Sequence, residues 1–171
     1  MGADERRDGL EPSDLAEQES RLAAFLPTQS ALVLAVMPLD PGPPVIGSLP
    51  FVLADGAFWS LASELAPHTR PLLERREASV ALLADQAATR NPFARERAQW
   101  TAGVERIERD SDRFGTITAA LRERHGKTVD LLCGLGDFHL LGFRPGVGSY
   151  VTGFGSAYAL DGLAVISQRR G

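Results

Sequence analysis

The sequence predicts a mainly β protein, an antiparallel barrel with helical additions, and three observations carry that reading. Short apolar runs bounded by turn residues recur at 31–37, 45–53, 57–62 and 79–83, and runs of that length suit strands. Asp55-Gly56, between the second and third runs, is a tight hairpin signal that makes them an antiparallel meander. The helical patterns inserted between strands are short, and the strand–helix–strand alternation of a parallel sheet is missing.

Taken in order, Ser13 opens a helix as its cap, with Asp14 and Glu17 near the favourable N-terminus and Leu15, Leu22, Phe25 and Leu26 on one face; Pro27 ends it. The strand at 31–37 gives way to the turn Asp40-Pro-Gly-Pro-Pro44. Strands at 45–53 and 57–62 follow, then a helix over 65–76 with Leu65, Leu72 and Leu73 at helical spacing and cations at its end. After the strand at 79–83, residues 85–91 form a loop closed by Pro92. A long strand at 97–108 buries Trp100, Ala102, Val104 and Ile107, and Gly103 marks a bulge or a close backbone approach. Asp110 or Ser111 caps a helix through Ile117, Leu121 and Arg124 that Gly126 terminates, and His125 in its last turn suits the helix dipole. Strands at 138–143 and 149–151 are joined by the turn Arg144-Pro-Gly-Val-Gly148. One domain over 15–166 results, between tails at 1–14 and 167–171.

Composition bounds the function. With 171 residues and 44% hydrophobic content the chain buries one substantial core. A formal charge of -4 argues against a broad nucleic-acid footprint and leaves room for a local pocket that grips one small anion. Cys133 is the only cysteine, so an intramolecular disulfide and a cysteine zinc cage are excluded. Apolar runs stay far below the ~20 residues of a membrane-spanning helix, and the reading is a cytoplasmic protein.

The segment Leu61-Ala-Ser-Glu-Leu-Ala-Pro-His-Thr-Arg70 places polar and cationic residues between a strand and a helix. Ser63, Thr69 and Arg70 at a helix start suit a phosphate, whereas the commoner explanation is a simple cap with a solvated arginine. Arg90, Arg95 and Arg97 flank Asn91-Pro-Phe and suit an anion in the same way, with solvation again the default. The glycines of 146–155 fail the dinucleotide-loop spacing, because position 151 is Val, and turns explain them. His68, His125 and His139 with Asp137 share no short metal-ligand spacing, and a half-buried, satisfied His139 is the plain reading. A G-x-S-x-G elbow is missing, which disfavours a serine hydrolase.

The order of these segments resembles the FMN-binding split-barrel family, the pyridoxamine 5′-phosphate oxidase-like superfamily, and within it the haem-utilisation branch. The resemblance spans most of residues 20–160 and rests on 61–70, on Ala78-Ser-Val-Ala-Leu-Leu83, on Asn91-Pro-Phe-Ala-Arg-Glu-Arg97 leading to Gly103, on Gly136-Asp-Phe-His-Leu140, and on Tyr150-Val-Thr-Gly-Phe-Gly-Ser-Ala157. It implies a six-stranded split barrel that forms a homodimer with ligand sites at the subunit interface. FMN is the ligand it implies first. The phosphate would meet Ser63, His68, Thr69 and Arg70, the ring would lie along Ser48, Leu49, Pro50 and Phe51, and Arg97 matches an arginine opening the long strand. The implied function is a flavoprotein oxidoreductase that passes a hydride or electrons from flavin N5 to a small substrate, with no catalytic residue assignable.

Two departures weaken the implied anion site: Pro71 stands where relatives have Asn, and Ser156 where they have Arg. Haem-degrading relatives use a histidine near or after the barrel's end, and this chain has none after His139. Haem is therefore the second ligand expected, bound weakly unless His139 or His68 substitutes. The alternative function is a haem-binding or haem-utilisation protein, or a flavin carrier without turnover.

Overall fold

The computed structural model describes residues 12–169, with side chains from Asp14 onward. The expected cap at Ser13 lies outside the described side chains. Helix α1, Pro12–Phe25, runs into a single 3₁₀ turn at Leu26–Thr28. Strands β1, Ala31–Val36, and β2, Val45–Pro50, form an antiparallel pair. Strand β3, Val52–Ala54, follows at once and turns through Asp55 and Gly56, both at positive φ (51° and 70°), into β4, Ala57–Ser63. Helix α2, Thr69–Arg75, leads to β5, Glu77–Leu83, and then to β6, Arg97–Ile107. Helices α3, Asp112–His125, and α4, Thr128–Gly134, precede β7, Phe138–Gly153, β8, Ser156–Asp161, and β9, Ala164–Arg169.

The sheet order is β2-β1-β5-β6-β7-β4-β3, with β8 and β9 added beside β7. Its two outermost members on that path, β2 and β3, are consecutive in the chain and separated by Phe51 alone. The sheet must therefore curl until its edges meet at that residue, which makes it a barrel split along one seam. Sequence periodicity runs 45–53 together as one strand because its apolar content is continuous; the backbone leaves one edge and joins the other at Phe51.

The interior of the barrel is one apolar cluster that includes Leu32, Leu34, Phe58, Trp100, Leu141, Phe143 and Tyr150. A second cluster lies on the outer face of β4 and β7, where Trp59, Leu61 and Leu140 meet Phe114, Ile117 and Leu121 of α3 and Val129 of α4. Strand β4 is thus covered on both faces, which is why its first six residues are all buried. Ser111 caps α3 by accepting a hydrogen bond from Phe114 N, and Gly126 ends it at φ 83°.

Several expectations need correction. The strands number nine, not six, in the described residues. Residues 144–148 form no turn: β7 runs through them, Pro145 opposite Ala102, where a bulge between Trp100 and Ala102 removes the demand for its missing N–H. That bulge also stands in place of the one expected at Gly103, beside which a Cβ would meet nothing within 4 Å. Helix α2 starts at Thr69 rather than near Leu65, because Glu64 to Pro67 are spent on tight turns. Helix α4 and the β8–β9 hairpin carry too few periodic residues to be read, and β9 reaches into the expected tail at 167–171.

Gly142 lies under the fully buried Trp59, where a Cβ would stand 2.5 Å from ring atom Cζ3. Gly142→Ala should lose roughly 1–3 kcal/mol of stability, the range for overpacking a closed core. Gly103→Ala should stay within about 0.5 kcal/mol of the parent. Urea titrations of both variants check the contrast.

Candidate functional site

Strands β4 and β7 pair so that Ala62 faces His139 and Ser63 faces Phe138. Along β7, Leu141 and Phe143 point into the barrel while Phe138 and Leu140 point to the helices. Strand alternation then puts His139 on the inward row, at the barrel's rim. The same count along β4, from Phe58 through Ala62, carries Glu64 to that rim, one residue past the strand.

The two side chains meet there. His139 Nε2 lies 2.6 Å from Glu64 Oε1, with the histidine side chain 11% exposed. Next to them Ser63 Oγ donates to Asp137 Oδ2 at 2.7 Å and accepts from Leu65 N at 3.1 Å. Glu64 N donates to the Asp137 carbonyl at 2.8 Å. Thr69 is fully buried and its hydroxyl donates to the Ser63 carbonyl at 2.6 Å, which closes the turn before α2.

His68 is buried at the start of α2, and its Nε2 has no hydrogen-bond partner among the described residues. Its ring lies against Gly47 of β2 so closely that any Cβ there would overlap it. Glycine is required at 47 for that approach. Desolvation without a compensating charge pushes the His68 pKa below its ordinary value, so the ring is neutral near pH 7.

The expected site residues distribute as follows. The turn at 63–70 and the strand bearing Ser48, Leu49 and Pro50 are brought together through His68 and Gly47. Ser48 and Pro50 are exposed, while the Leu49 and Phe51 side chains belong to the core. Ser63, Thr69 and His139 gather at the β4–β7 end. Arg70 turns outward to Glu74, 3.0 Å away, with its side chain 79% exposed. Arg97 pairs with Val151 at the opposite end of β7 from His139, and its Nη1 donates to the Arg95 carbonyl at 3.0 Å. Within one chain it does not join the others.

Sequence reasoning overlooked Glu64 as a partner of His139, because only the β4–β7 register brings them together. It also overlooked a trio reaching from the core to the surface, in which the buried Tyr150 hydroxyl donates to Glu96 while the exposed Arg21 places Nε 3.0 Å from the same carboxylate. Burial first, then Glu96, push the Tyr150 phenol well above its usual range. Outside the barrel, Val33, Ile46, Val147 and Ile166 remain exposed around a groove of about 670 Å³ along β1, β6 and β7.

No family model matches the chain. The sequence is 32% identical over 144 residues to the haem oxygenase HutZ of Vibrio cholerae serotype O1, a match covering 84% of this chain and 81% of that protein. The crystal structure of HutZ, called there a haem storage protein, superposes with a TM-score of 0.70 at 30% identity, covering 74% of this chain and 89% of that one. A haem-binding protein from Mycobacterium smegmatis superposes with a TM-score of 0.73 at 25% identity, covering 90% of this chain and 60% of that one.

The buried His68 makes a pH prediction. Its folded pKa lies below the unfolded value of about 6.5, so between the two the unfolded chain binds more protons and stability falls as pH drops. The loss begins near the unfolded pKa and grows until the folded pKa is passed. Urea midpoints measured from pH 7.5 downward should fall less steeply in His68→Gln than in the parent; equal slopes would contradict a neutral, desolvated ring.

Proposed function

This chain belongs to the haem-utilisation branch of the split-barrel, pyridoxamine 5′-phosphate oxidase-like superfamily, and on that premise we propose that it binds haem as a homodimer. The single observation carrying the reading is the His139–Glu64 pair at the barrel rim. A carboxylate on one ring nitrogen, here Nε2, fixes the orientation of a histidine and leaves the other nitrogen, Nδ1, for a metal. Of the other two histidines of the chain, His125 has its Nε2 on a backbone carbonyl, that of Phe51 at 2.8 Å, rather than on a carboxylate, and His68 is sealed beneath Gly47.

The residues present fit haem iron through that donor set. Bound haem would supply a redox-active iron centre. His139 would hold it, Glu64 would fix the ring, and Ser63 with Asp137 would fix the backbone from which Glu64 extends. The haem reading is preferred to the flavin oxidoreductase because HutZ, the relative that is 32% identical in sequence and whose crystal structure superposes at 30% identity, is a haem protein by name. The outward ion pair of Arg70 with Glu74 also leaves the cation of the expected phosphate grip engaged elsewhere.

A second copy of this chain suits the groove around Trp100. Exposed Val33, Ile46, Val147 and Ile166 form a contiguous apolar rim on one sheet face, the kind of surface that two-fold association buries. Arg97 of one subunit could then reach a site whose other residues come from the partner.

Haemin and FMN titrated in parallel, followed by absorbance, test the ligand. The expected result is stoichiometric haemin binding that His139→Ala weakens by about ten- to a hundredfold; haemin binding indifferent to His139→Ala, or retention of FMN alone, would overturn it. Light scattering tests assembly. A mass of twice 18.4 kDa is expected, shifting toward the monomer in Ile46→Glu, and a monomeric parent would remove the shared site.

A further inference from the structure

Arg109 lies in the turn between β6 and α3, and its exposure would pass for that of an ordinary surface arginine. Both terminal nitrogens of its guanidinium are instead bound to backbone carbonyls. Nη1 donates to the Cys133 carbonyl, and Nη2 donates to the carbonyls of Leu135 and, at 2.6 Å, Phe138. The guanidinium carbon stands 5.8 Å from the centre of the Phe114 ring, so α3 supports the fork from the side.

These acceptors bracket one short stretch. Cys133 lies in the last turn of α4, Leu135 immediately follows that helix, and Phe138 opens β7 beside His139. Between the second and third of them sits Asp137, which receives Ser63 Oγ through its carboxylate and Glu64 N through its carbonyl. The stretch 133–138 is thus fastened from one side by Arg109 and from the other by the end of β4. A guanidinium spreads its donors over separate nitrogens and so spans carbonyls set apart from one another, whereas an ammonium carries its three donors on a single nitrogen. A helix end and a following loop whose carbonyls lacked that partner would be free to shift.

We propose that Arg109 is a positioning residue for the His139–Glu64 pair: it fixes the segment between α4 and β7 so that Asp137 holds Glu64, and Glu64 holds the His139 ring, in one arrangement. This role rests on the proposal that His139 is the haem ligand, and it makes Arg109 act through that histidine without touching the ligand.

The test uses Arg109→Gln, Arg109→Lys, His139→Ala and the double variant Arg109→Gln/His139→Ala, each titrated with haemin and followed by the Soret band and by iron spin-state signals in EPR. Arg109→Gln should weaken haemin binding by about tenfold or more and change the spin-state signature, with partial recovery in Arg109→Lys. In the His139→Ala background Arg109→Gln should add nothing. Full additivity there would mean a merely structural effect and would overturn the proposal, as would an unchanged spectrum and affinity in Arg109→Gln. Amide hydrogen exchange of the ligand-free protein separates this from failure of the haem reading. Faster exchange at Glu64 in Arg109→Gln, with β1 and β5 unaffected, would support the fastening even if the parent took up no haemin, whereas unchanged exchange at Glu64 would overturn it. Should Arg109→Gln fail to fold, the same comparisons with Arg109→Lys decide.

Discussion

The structure depends on one corner, at Phe51, where the chain passes from one edge of the sheet to the other. Five interactions fix it. Phe51 N donates to the Ser30 carbonyl at 3.2 Å, and the Phe51 carbonyl accepts from His125 Nε2 at 2.8 Å. Its ring packs edge-on against Phe58 with centroids 5.3 Å apart, and the Arg124 guanidinium lies 5.4 Å from that ring. Ser60 Oγ, from β4, donates to the Pro50 carbonyl at 2.6 Å, which ties the two sides of the seam where no ladder does. Since β2 and β3 share no ladder among the described residues, the seam relies on this backbone bond and the side-chain contacts around it.

Helix α3 therefore serves two places at once. Its C-terminal Arg124 and His125 hold the corner, and Arg124 also donates to the carbonyl of Pro27 at 2.9 Å and to that of Gln29, fastening the chain between α1 and β1. Its buried face covers Trp59 and Leu140 on the outside of β4 and β7. Near its start, Arg113 stacks over the Trp59 ring at 4.7 Å and bridges Glu105. A helix whose two ends and one face are all committed transmits little slack, so the β4–β7 ends it covers are set rigidly against the barrel.

What the sequence disclosed follows from which constraints are local. The strands read at 31–37 and 79–83, found at Ala31–Val36 and Glu77–Leu83, the Asp55-Gly56 hairpin and the Ser111-to-Gly126 helix were legible because apolar period, turn residues and caps lie within a few positions of one another. The break at Phe51 was not, since nothing beside it differs from an ordinary buried strand and the cause lies in Ser30, Phe58 and His125. Pro145 misled for the opposite reason: a local turn signal was overruled by a bulge on the neighbouring strand. In the candidate site, the 61–70 segment was picked out by its polar residues at a strand–helix junction and, together with His139, by the family resemblance. Their joining through Glu64 and Asp137 needed the β4–β7 register, and the outward course of Arg70 was set by Glu74, one helical turn on.

The location of the polar cluster has its own physical cause. Along β4 and β7 the inward row belongs to the barrel core and the outward row to the helical layer, and where both layers cover β4 its rows are apolar except for Ser60, whose hydroxyl is spent on the Pro50 carbonyl. At the rim the barrel core stops, and the inward row continues as Glu64 and His139 where water becomes available. A titratable pair is tolerated there because it is partly solvated and mutually hydrogen-bonded; a few residues deeper, beside Phe58 and Leu141, the same pair would be expelled or neutralised. The site is thus the place where the strand alternation that builds the core first runs out of core, and its chemistry is fixed by how firmly the backbone under it is held.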